Sequence, residues 1–354
     1  MTSRINTKKI RVGKVFIGGD SPISVQSMTN VKSADVNGLI SQIGEIREAG
    51  CDVVRMTVPD DESVRALSKV KECFPDYPVV ADIHFSSRLA VESVFAGCDK
   101  VRINPGNIGS REKIRDVVRA CREKNVPIRV GVNGGSLEKD LLEKYGSPTA
   151  EAIAESATRN VKLLEDEDFG NIVISVKCSD VATMINANRI ISQKHDYPVH
   201  LGVTEAGGEK FGLIKSYVGI GSLLCDGIGD TIRISLTGDP VKEVSEGIRL
   251  LTSLGLYDKN LVNIVSCPTC GRTKYDMLRL VSELEGRYDE MKPSRKVTVA
   301  VMGCVVNGPG EAKGADICVV GGDHEGLLYK NGVPCFKVPE DKIVSVLIDE
   351  VNRI

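Results

Sequence analysis

Along the first two thirds of the chain, apolar residues come in short runs. Between the runs, apolar positions return every three to four residues. The first pattern is that of a buried β-strand, the second that of an amphipathic helix. The runs predict strands over residues 23–27, 52–58, 79–84, 100–104, 128–133, 172–177, 200–205 and 231–235. Helices are predicted between them, for example over 34–49, 60–73, 111–124 and 149–165. Helix-end signals agree: Ser110 and Asp180 precede helices, and Gly50 and Gly97 follow them.

Strands that each lead into a helix imply a parallel sheet with right-handed crossovers. Eight such units in about 230 residues fit a closed (β/α)8 TIM barrel. An open doubly wound sheet is the alternative, but the G-x-G-x-x-G turn usual after its first strand is missing. Residues 10–19 read as a small hairpin closing the bottom of the barrel. After Ser253 the pattern changes. Residues 254–260 read as a linker, followed by a strand (262–266), a helix (274–285) and strands 296–301 and 317–321. A hairpin over 327–338 turns at Asn331-Gly332, and a helix over 340–353 ends the chain. The fold class is thus α/β: a TIM-barrel substrate domain (1–255), then a smaller α+β domain (261–354).

Composition narrows the function. The 354 residues are 42% hydrophobic and 27% charged, ordinary for a globular protein. A net charge of −2 gives no basic excess for nucleic acid. No apolar run approaches the ~18–20 residues of a membrane helix. The polar N-terminus lacks a signal-peptide core, so a cytoplasmic location is expected. Eleven cysteines, an odd number in a large chain, do not suit a secreted disulfide framework. Cys51, Cys73, Cys98, Cys121, Cys178 and Cys225 read as small buried hydrophobes.

Strands of a parallel barrel are buried on both faces and should be almost purely apolar. Here several carry charge near their C-terminal ends: Arg55, His84, Arg102 with Asn104, Arg129 with Asn133, Lys177, Glu205, and Arg233 with Ser235. That is the barrel face where active sites lie. The cations outnumber Glu205, read as the main anion, so the pocket calls for an anionic ligand. Arginine forks match phosphate oxygens, and four arginines with a lysine suit a diphosphate. Glu205 is suited to proton exchange or to binding hydroxyls. Lys177 also suits a Schiff-base nucleophile, which keeps an aldolase with a structural zinc domain as the rival reading.

The second domain has its own candidate chemistry. Cys267 and Cys270 form a C-x-x-C, and Cys304 follows in a Gly- and Pro-rich loop. Zinc usually takes four ligands in two close pairs, and the second pair is missing here. Cys318 lies in the apolar run ICVV and reads as packed; Cys335 falls in the hairpin. Three cysteines on loops suit a [4Fe–4S] cluster with one distinctive iron, for which Glu311 is the nearest oxygen donor. The cysteines alone leave zinc and cluster both open. A radical enzyme using S-adenosylmethionine needs C-x-x-x-C-x-x-C, which is absent.

In order along the chain, the segments SVQSMTN, VVRMTVP, ADIHF, RINPGN, RVGVNGGSLE, LGVTEAGGEKFGLIKS, GIGDTIRIS, SCPTCGR and VMGCVVNGPGE resemble the bacterial hydroxymethylbutenyl diphosphate synthases, the GcpE (IspG) family. Val31 after SMTN departs from the threonine of that pattern, away from the charged set. The resemblance implies reductive ring opening of 2-C-methyl-D-erythritol 2,4-cyclodiphosphate to 4-hydroxy-3-methylbut-2-enyl diphosphate, a step toward isoprenoid precursors. Electrons would come from flavodoxin or ferredoxin through a [4Fe–4S] cluster. It implies Glu205 as the acid/base or hydroxyl-binding group, and Cys267, Cys270, Cys304 and Glu311 as cluster ligands. Arg55, His84, Arg102, Arg129, Asn133, Lys177, Arg233, Ser235 and Asn307 would bind substrate. A geometric expectation joins these halves. The eighth barrel helix, about 241–253, ends at the bottom face, roughly 20 Å from the mouth. Residues 254–260 span at most about 25 Å. A head-to-tail homodimer is therefore expected, each cluster domain serving the partner's barrel.

Overall fold

The computed structural model describes residues 3–257, 262–306, 308, 310 and 313–354, apart from the side chain of residue 289. Its internal contacts divide the chain into two units, Met1–Leu254 and Gly255–Ile354.

The first unit opens with an antiparallel hairpin, β1 (Ile10–Val12) and β2 (Val15–Ile17). Eight parallel strands follow: β3 (Ser24–Met28), β4 (Val53–Thr57), β5 (Val79–Asp82), β6 (Lys100–Ile103), β7 (Ile128–Asn133), β8 (Ile172–Lys177), β9 (His200–Leu201) and β10 (Thr231–Ile232). They hydrogen-bond in the order β8-β7-β6-β5-β4-β3-β10-β9. A parallel bridge between Ile174 and Val199 joins β8 to the approach to β9 and closes the sheet. The barrel is closed, not an open doubly wound sheet.

Helices form where expected because polar caps start them and an apolar stripe holds them to the strands. Asp60 caps Asp61–Cys73 through the Ser63 amide at 2.9 Å, and Asp180 caps Val181–Lys194 through Thr183 at 2.8 Å. Ser110 stands at an N-cap but its side chain makes no cap bond. On Val36–Glu48 the 3.6-residue period buries Leu39, Ile43 and Ile46. Gly50 and Gly97 take the left-handed conformation after their helices (φ 93° and 97°). Two of the scattered cysteines do not fit the expectation of burial. Cys73 and Cys225 are exposed because each is the last residue of its helix, Asp61–Cys73 and Glu209–Cys225. Cys51, Cys98, Cys121 and Cys178 are buried.

The hairpin β1–β2 plugs the bottom of the barrel. Val12 and Ile17 are fully buried against Val53 and Val80, which lie in the N-terminal halves of β4 and β5. At the opposite end several strands are shorter than their apolar runs. β9 and β10 have two residues each, so Glu205, Arg233 and Ser235 stand on loops beyond the ladder, as does His84 beyond β5. The backbone leaves the ladder there to feed the following helix, turning left-handed at Glu205 (φ 52°).

The second unit is a five-stranded sheet in the order β11 (Val262–Ser266), β12 (Val297–Met302), β13 (Ile317–Gly321), β14 (Glu325–Lys330) and β15 (Val333–Pro339). The first three strands are parallel and the last two antiparallel. The β14–β15 turn falls at Asn331 and Gly332, both left-handed (φ 50° and 76°). Helices Met277–Gly286 and Ile343–Asn352 set Leu280, Leu284, Leu347 and Val351 into one core with Val299, Val301 and Val319. The first helix begins at Met277, not 274, because Asp276 caps it through the Arg279 amide. The residues before it remain a loop that carries two cysteines.

Candidate active site

Side chains on a strand alternate between its two faces, and in a barrel the inward set ordinarily packs as bulky apolar layers. Here the inward set near the strand C-termini is polar. Arg55 on β4, Asp82 on β5 and Arg102 on β6 form one linked group. Arg55 Nη2 lies 2.6 Å from Asp82 Oδ2, and Arg102 Nη1 lies 3.4 Å from Asp82 Oδ1. His84 Nε2 stands 3.4 Å from the same carboxylate, with its ring half exposed. Arg102 also donates to the Gly131 carbonyl at 3.2 Å. A Cβ on Gly131 would lie 2.2 Å from Arg102 Nε, so only glycine leaves room for that guanidinium.

Lys177 ends β8 beside Asn133, its register partner on β7. A Cβ on Gly202 would come 2.7 Å from Lys177 Nζ. Burial, then the charges of Arg129, Arg233, Arg55 and Arg102, hold the Lys177 amine well below its ordinary value. All four arginines and the lysine therefore act on one mouth. Arg233, beyond β10, is gripped by Glu243 of helix Pro240–Ser253: Nε to Oε2 and Nη2 to Oε1, both 3.0 Å. Glu243 also accepts from Ser27 Oγ and from the Leu236 amide, each at 3.0 Å. Ser235 is half-buried two residues after Arg233, and Glu205 is exposed on its left-handed turn. A left-handed non-glycine residue carries strain of about 1–3 kcal/mol and often marks a functional position.

This geometry corrects one expectation. Glu205 is not the principal anion of the mouth; Asp82 and Glu243 are, and both are buried. Burial alone would raise the Asp82 carboxyl, but Arg55, the His84 hydrogen bond and Arg102 outweigh it and hold it well below the usual carboxylate range. Both acids carried a sequence signal. Asp82 stands two residues before His84, hence on the same face of β5. Glu243 sits on the buried stripe of its helix beside Val244, Gly247 and Leu250. Even with both acids, Arg129 and Lys177 have no ion-pair partner among the described residues, and the mouth stays cationic.

The second unit carries the cysteines on loops at the C-terminal ends of two adjacent parallel strands. β11 and β12 pair through Ser266 and Val301. Cys267 follows β11; its amide donates to the Val301 carbonyl at 3.3 Å, and its sulfur accepts from the Gly303 amide at 3.2 Å. Cys270 is exposed, its amide donating to Thr273 Oγ1 at 3.2 Å. Lys274 N donates to the Gly303 carbonyl at 3.1 Å and ties the two loops together. Cys304 is buried two residues after β12. Cys318 is buried within β13 and Cys335 is exposed on β15. Asn307 and Glu311 lie outside the described residues. Among the described residues, no three His, Cys, Asp or Glu side chains converge to hold a single metal ion. Among them also, no helix is long and apolar enough to cross a membrane.

Fold and site together define a class: a TIM-barrel protein with an anion-seeking mouth, joined to an α+β domain bearing cysteine loops. Comparison with known proteins agrees. Residues 7–248 match the GcpE TIM-barrel domain and residues 263–353 match the GcpE protein C-terminal domain. The chain belongs to the GcpE family. It is 52% identical to a Clostridium perfringens protein named 4-hydroxy-3-methylbut-2-en-1-yl diphosphate synthase (flavodoxin), over 99% of this chain and 100% of that one. Proteins of the same name from Geobacter sulfurreducens and Symbiobacterium thermophilum are 51% and 49% identical. These cover 99% and 100% of this chain, and 98% and 94% of their own. Among solved structures, dihydropteroate synthase from Stenotrophomonas maltophilia superposes with a TM-score of 0.52 at 12% identity, covering 70% of this chain and 97% of that one. That likeness concerns the barrel fold alone.

Proposed function

We propose that the protein is an oxidoreductase of isoprenoid precursor synthesis. It opens the ring of 2-C-methyl-D-erythritol 2,4-cyclodiphosphate and removes a hydroxyl, giving 4-hydroxy-3-methylbut-2-enyl diphosphate and water. One observation carries the reading: Arg55, Arg102, Arg129, Lys177 and Arg233 act on a single barrel mouth that holds fewer carboxylates than cations. A diphosphate supplies the missing negative charge, and arginine forks fix its orientation. Asn133, His84 and Ser235 stand at the same strand ends and suit its remaining oxygens. Arriving anions favour protonation of Lys177, which then joins the arginines in dispersing the charge that develops as the ring opens. Glu205, exposed beyond β9 and bound to no cation among the described residues, suits proton delivery or hydroxyl binding.

Cys267, Cys270 and Cys304, with Glu311 as fourth ligand, are proposed to hold a [4Fe–4S] cluster. The donor set fits. The thiols stand on tied loops at neighbouring strand ends, and the Gly303 amide donates to the Cys267 sulfur, the kind of outer hydrogen bond that orients a cluster's sulfur ligands. Bound there, the cluster supplies single electrons at low potential. Asn307, in the Cys304 loop, is proposed to touch substrate. The donor is proposed to be flavodoxin, the name the relatives carry, with ferredoxin as substitute. A homodimer with each cluster domain serving the partner's barrel, in the cytoplasm, completes the proposal. Its support is the short span available after helix Pro240–Ser253.

The rival aldolase has one observation in its favour, the depressed Lys177 amine, which a Schiff-base nucleophile requires. Family membership weighs against it. Anaerobic purification decides between them. The expected result is a brown protein with about four irons per chain that consumes the cyclodiphosphate with reduced flavodoxin. A colourless zinc protein trapped on substrate by borohydride at Lys177 overturns the reading.

A further inference from the structure

Strands β6 and β7 separate before their chains reach the mouth loops. Their ladder pairs Val101 with Ile128, Arg102 with Arg129 and Ile103 with Val130, and ends there. β7 runs on through Val132 to Asn133, paired on its other side with β8. The chain beyond β6 passes through Asn104 into the short helix Pro105–Ile108. The chain beyond β7 turns at Gly134–Ser136 and enters helix Lys139–Tyr145, with Glu138 at its N-cap. Past Ile103 and Val130, therefore, no β6–β7 strand pairing fixes one exit against the other.

One side chain from a third element spans the gap. Asn160 lies on the buried stripe of helix Ala150–Glu165, with Ile153, Ala157 and Leu164, and is 1% exposed. Its Oδ1 accepts from the Gly106 amide at 2.6 Å, in the turn after β6. Its Nδ2 donates to Glu138 Oε1 at 3.1 Å, in the loop after β7, and to the Ser156 carbonyl of its own helix at 2.9 Å. The Asn104 side chain accepts from the same Gly106 amide at 3.2 Å. A Cβ on Gly106 would lie 3.2 Å from Asn160 Oδ1 and 3.5 Å from both Asn104 Oδ1 and Glu138 Oε1, so three side-chain oxygens gather round one glycine. A planar amide suits this place because it offers an acceptor to one loop and donors to the other.

Stability alone does not account for the arrangement. An alanine or leucine on that stripe brings no polar group to satisfy, whereas Glu138 Oε2 is buried with no partner among the described residues. Such an oxygen is unfavourable unless bonded. The contact instead fixes a spacing that the ladder leaves free. We propose that Asn160 is a positioning residue for the mouth. Through Gly106 and Glu138 it sets the tip of β7, and with it Asn133, against the exit of β6 just beyond Arg102, at the spacing a diphosphate requires. Being buried, it acts through the two loops. The proposal rests on the reading of the mouth as a diphosphate site.

Calorimetric titration of the whole chain with pyrophosphate tests this without turnover. Glu138→Ala cuts the tie to the β7 loop and also deletes an acid five residues beyond Asn133. Charge alone would then tighten anion binding, so the expected weakening, about tenfold, marks lost positioning. Asn160→Asp sets two carboxylates against each other and should weaken binding at least as much. Adding Glu138→Gln to it restores a donor and an acceptor at the wild-type net charge, and should recover most of the affinity. In turnover of the cyclodiphosphate, the loss in Glu138→Ala should fall on KM with kcat little changed. Unchanged or tighter pyrophosphate binding by Glu138→Ala overturns the proposal, as does a double variant no better than Asn160→Asp. A wild type that binds no pyrophosphate fails the diphosphate reading itself and takes the proposal with it; wild-type binding with an indifferent Glu138→Ala fails the proposal alone. Glu138 is only half-buried, so its variant decides the matter even if Asn160→Asp does not fold.

Discussion

Asp82 is the residue on which the mouth's charge balance turns, and Asp82→Asn tests that directly. The substitution keeps shape and removes only charge. In the native barrel the carboxylate is 1% exposed and faces Arg55 at 2.6 Å and Arg102 at 3.4 Å. Charges centred about 4 Å apart attract by ~4 kcal/mol at an effective dielectric near 20. Removing one partner of a buried pair costs about 3–5 kcal/mol because the other charge is stranded. The expected loss of barrel stability at pH 7 is therefore about 3–5 kcal/mol, read from urea unfolding followed by circular dichroism. The pH dependence has a definite sign. The folded Asp82 value lies below the unfolded value of about 3.9, so its contribution is full above that pH. It is lost as pH falls through the folded value. The gap between wild type and variant should hold from pH 7 to about 5 and shrink below about 4. Added pyrophosphate should narrow it at neutral pH by supplying the missing charge. A variant within about 0.5 kcal/mol of wild type at pH 7, the scatter of ordinary surface substitutions, would refute the charge-balance reasoning.

Two further outcomes follow from the same geometry. Glu243→Gln should loosen Arg233 and lower kcat/KM by about 10–100-fold, chiefly through KM, as expected for charged hydrogen bonds of about 1.5–3 kcal/mol. Steady-state kinetics with an unchanged KM would show that Arg233 needs no such grip. If the proposed head-to-tail dimer forms, Cys304→Ala and Glu205→Ala chains, each inactive alone, should regain activity when mixed. Failure of the mixture despite demonstrated subunit exchange removes the cross-subunit arrangement.

Much of this molecule was readable from its sequence, and the reason is local. Eight apolar runs alternating with helical stripes specify parallel β/α units, because each period is set by backbone geometry within a few residues. The Asn331-Gly332 turn and the Asp60 and Asp180 caps are equally local. Arg55, Arg102, Arg129, Lys177 and Arg233 stood out because a charge inside an apolar strand run is conspicuous by itself. The C-x-x-C and the Cys304 loop were visible for the same reason.

What the sequence could not determine depends on partners far apart along the chain. Asp82 lies within the predicted strand over 79–84; only barrel closure sets it between Arg55 and Arg102 as their shared counter-charge. Glu243 falls within a predicted helix, but only the packing of Pro240–Ser253 beside the loop that carries Arg233 makes it that arginine's partner. Lys100 and His200 stood at the starts of predicted strands, where a charge usually reaches solvent. The hairpin plug, from the first residues of the chain, seals that end and leaves them buried. Whether a polar side chain is exposed, paired or stranded is a property of the closed barrel, since burial and charge pairing are set by contacts across the sheet and not along it.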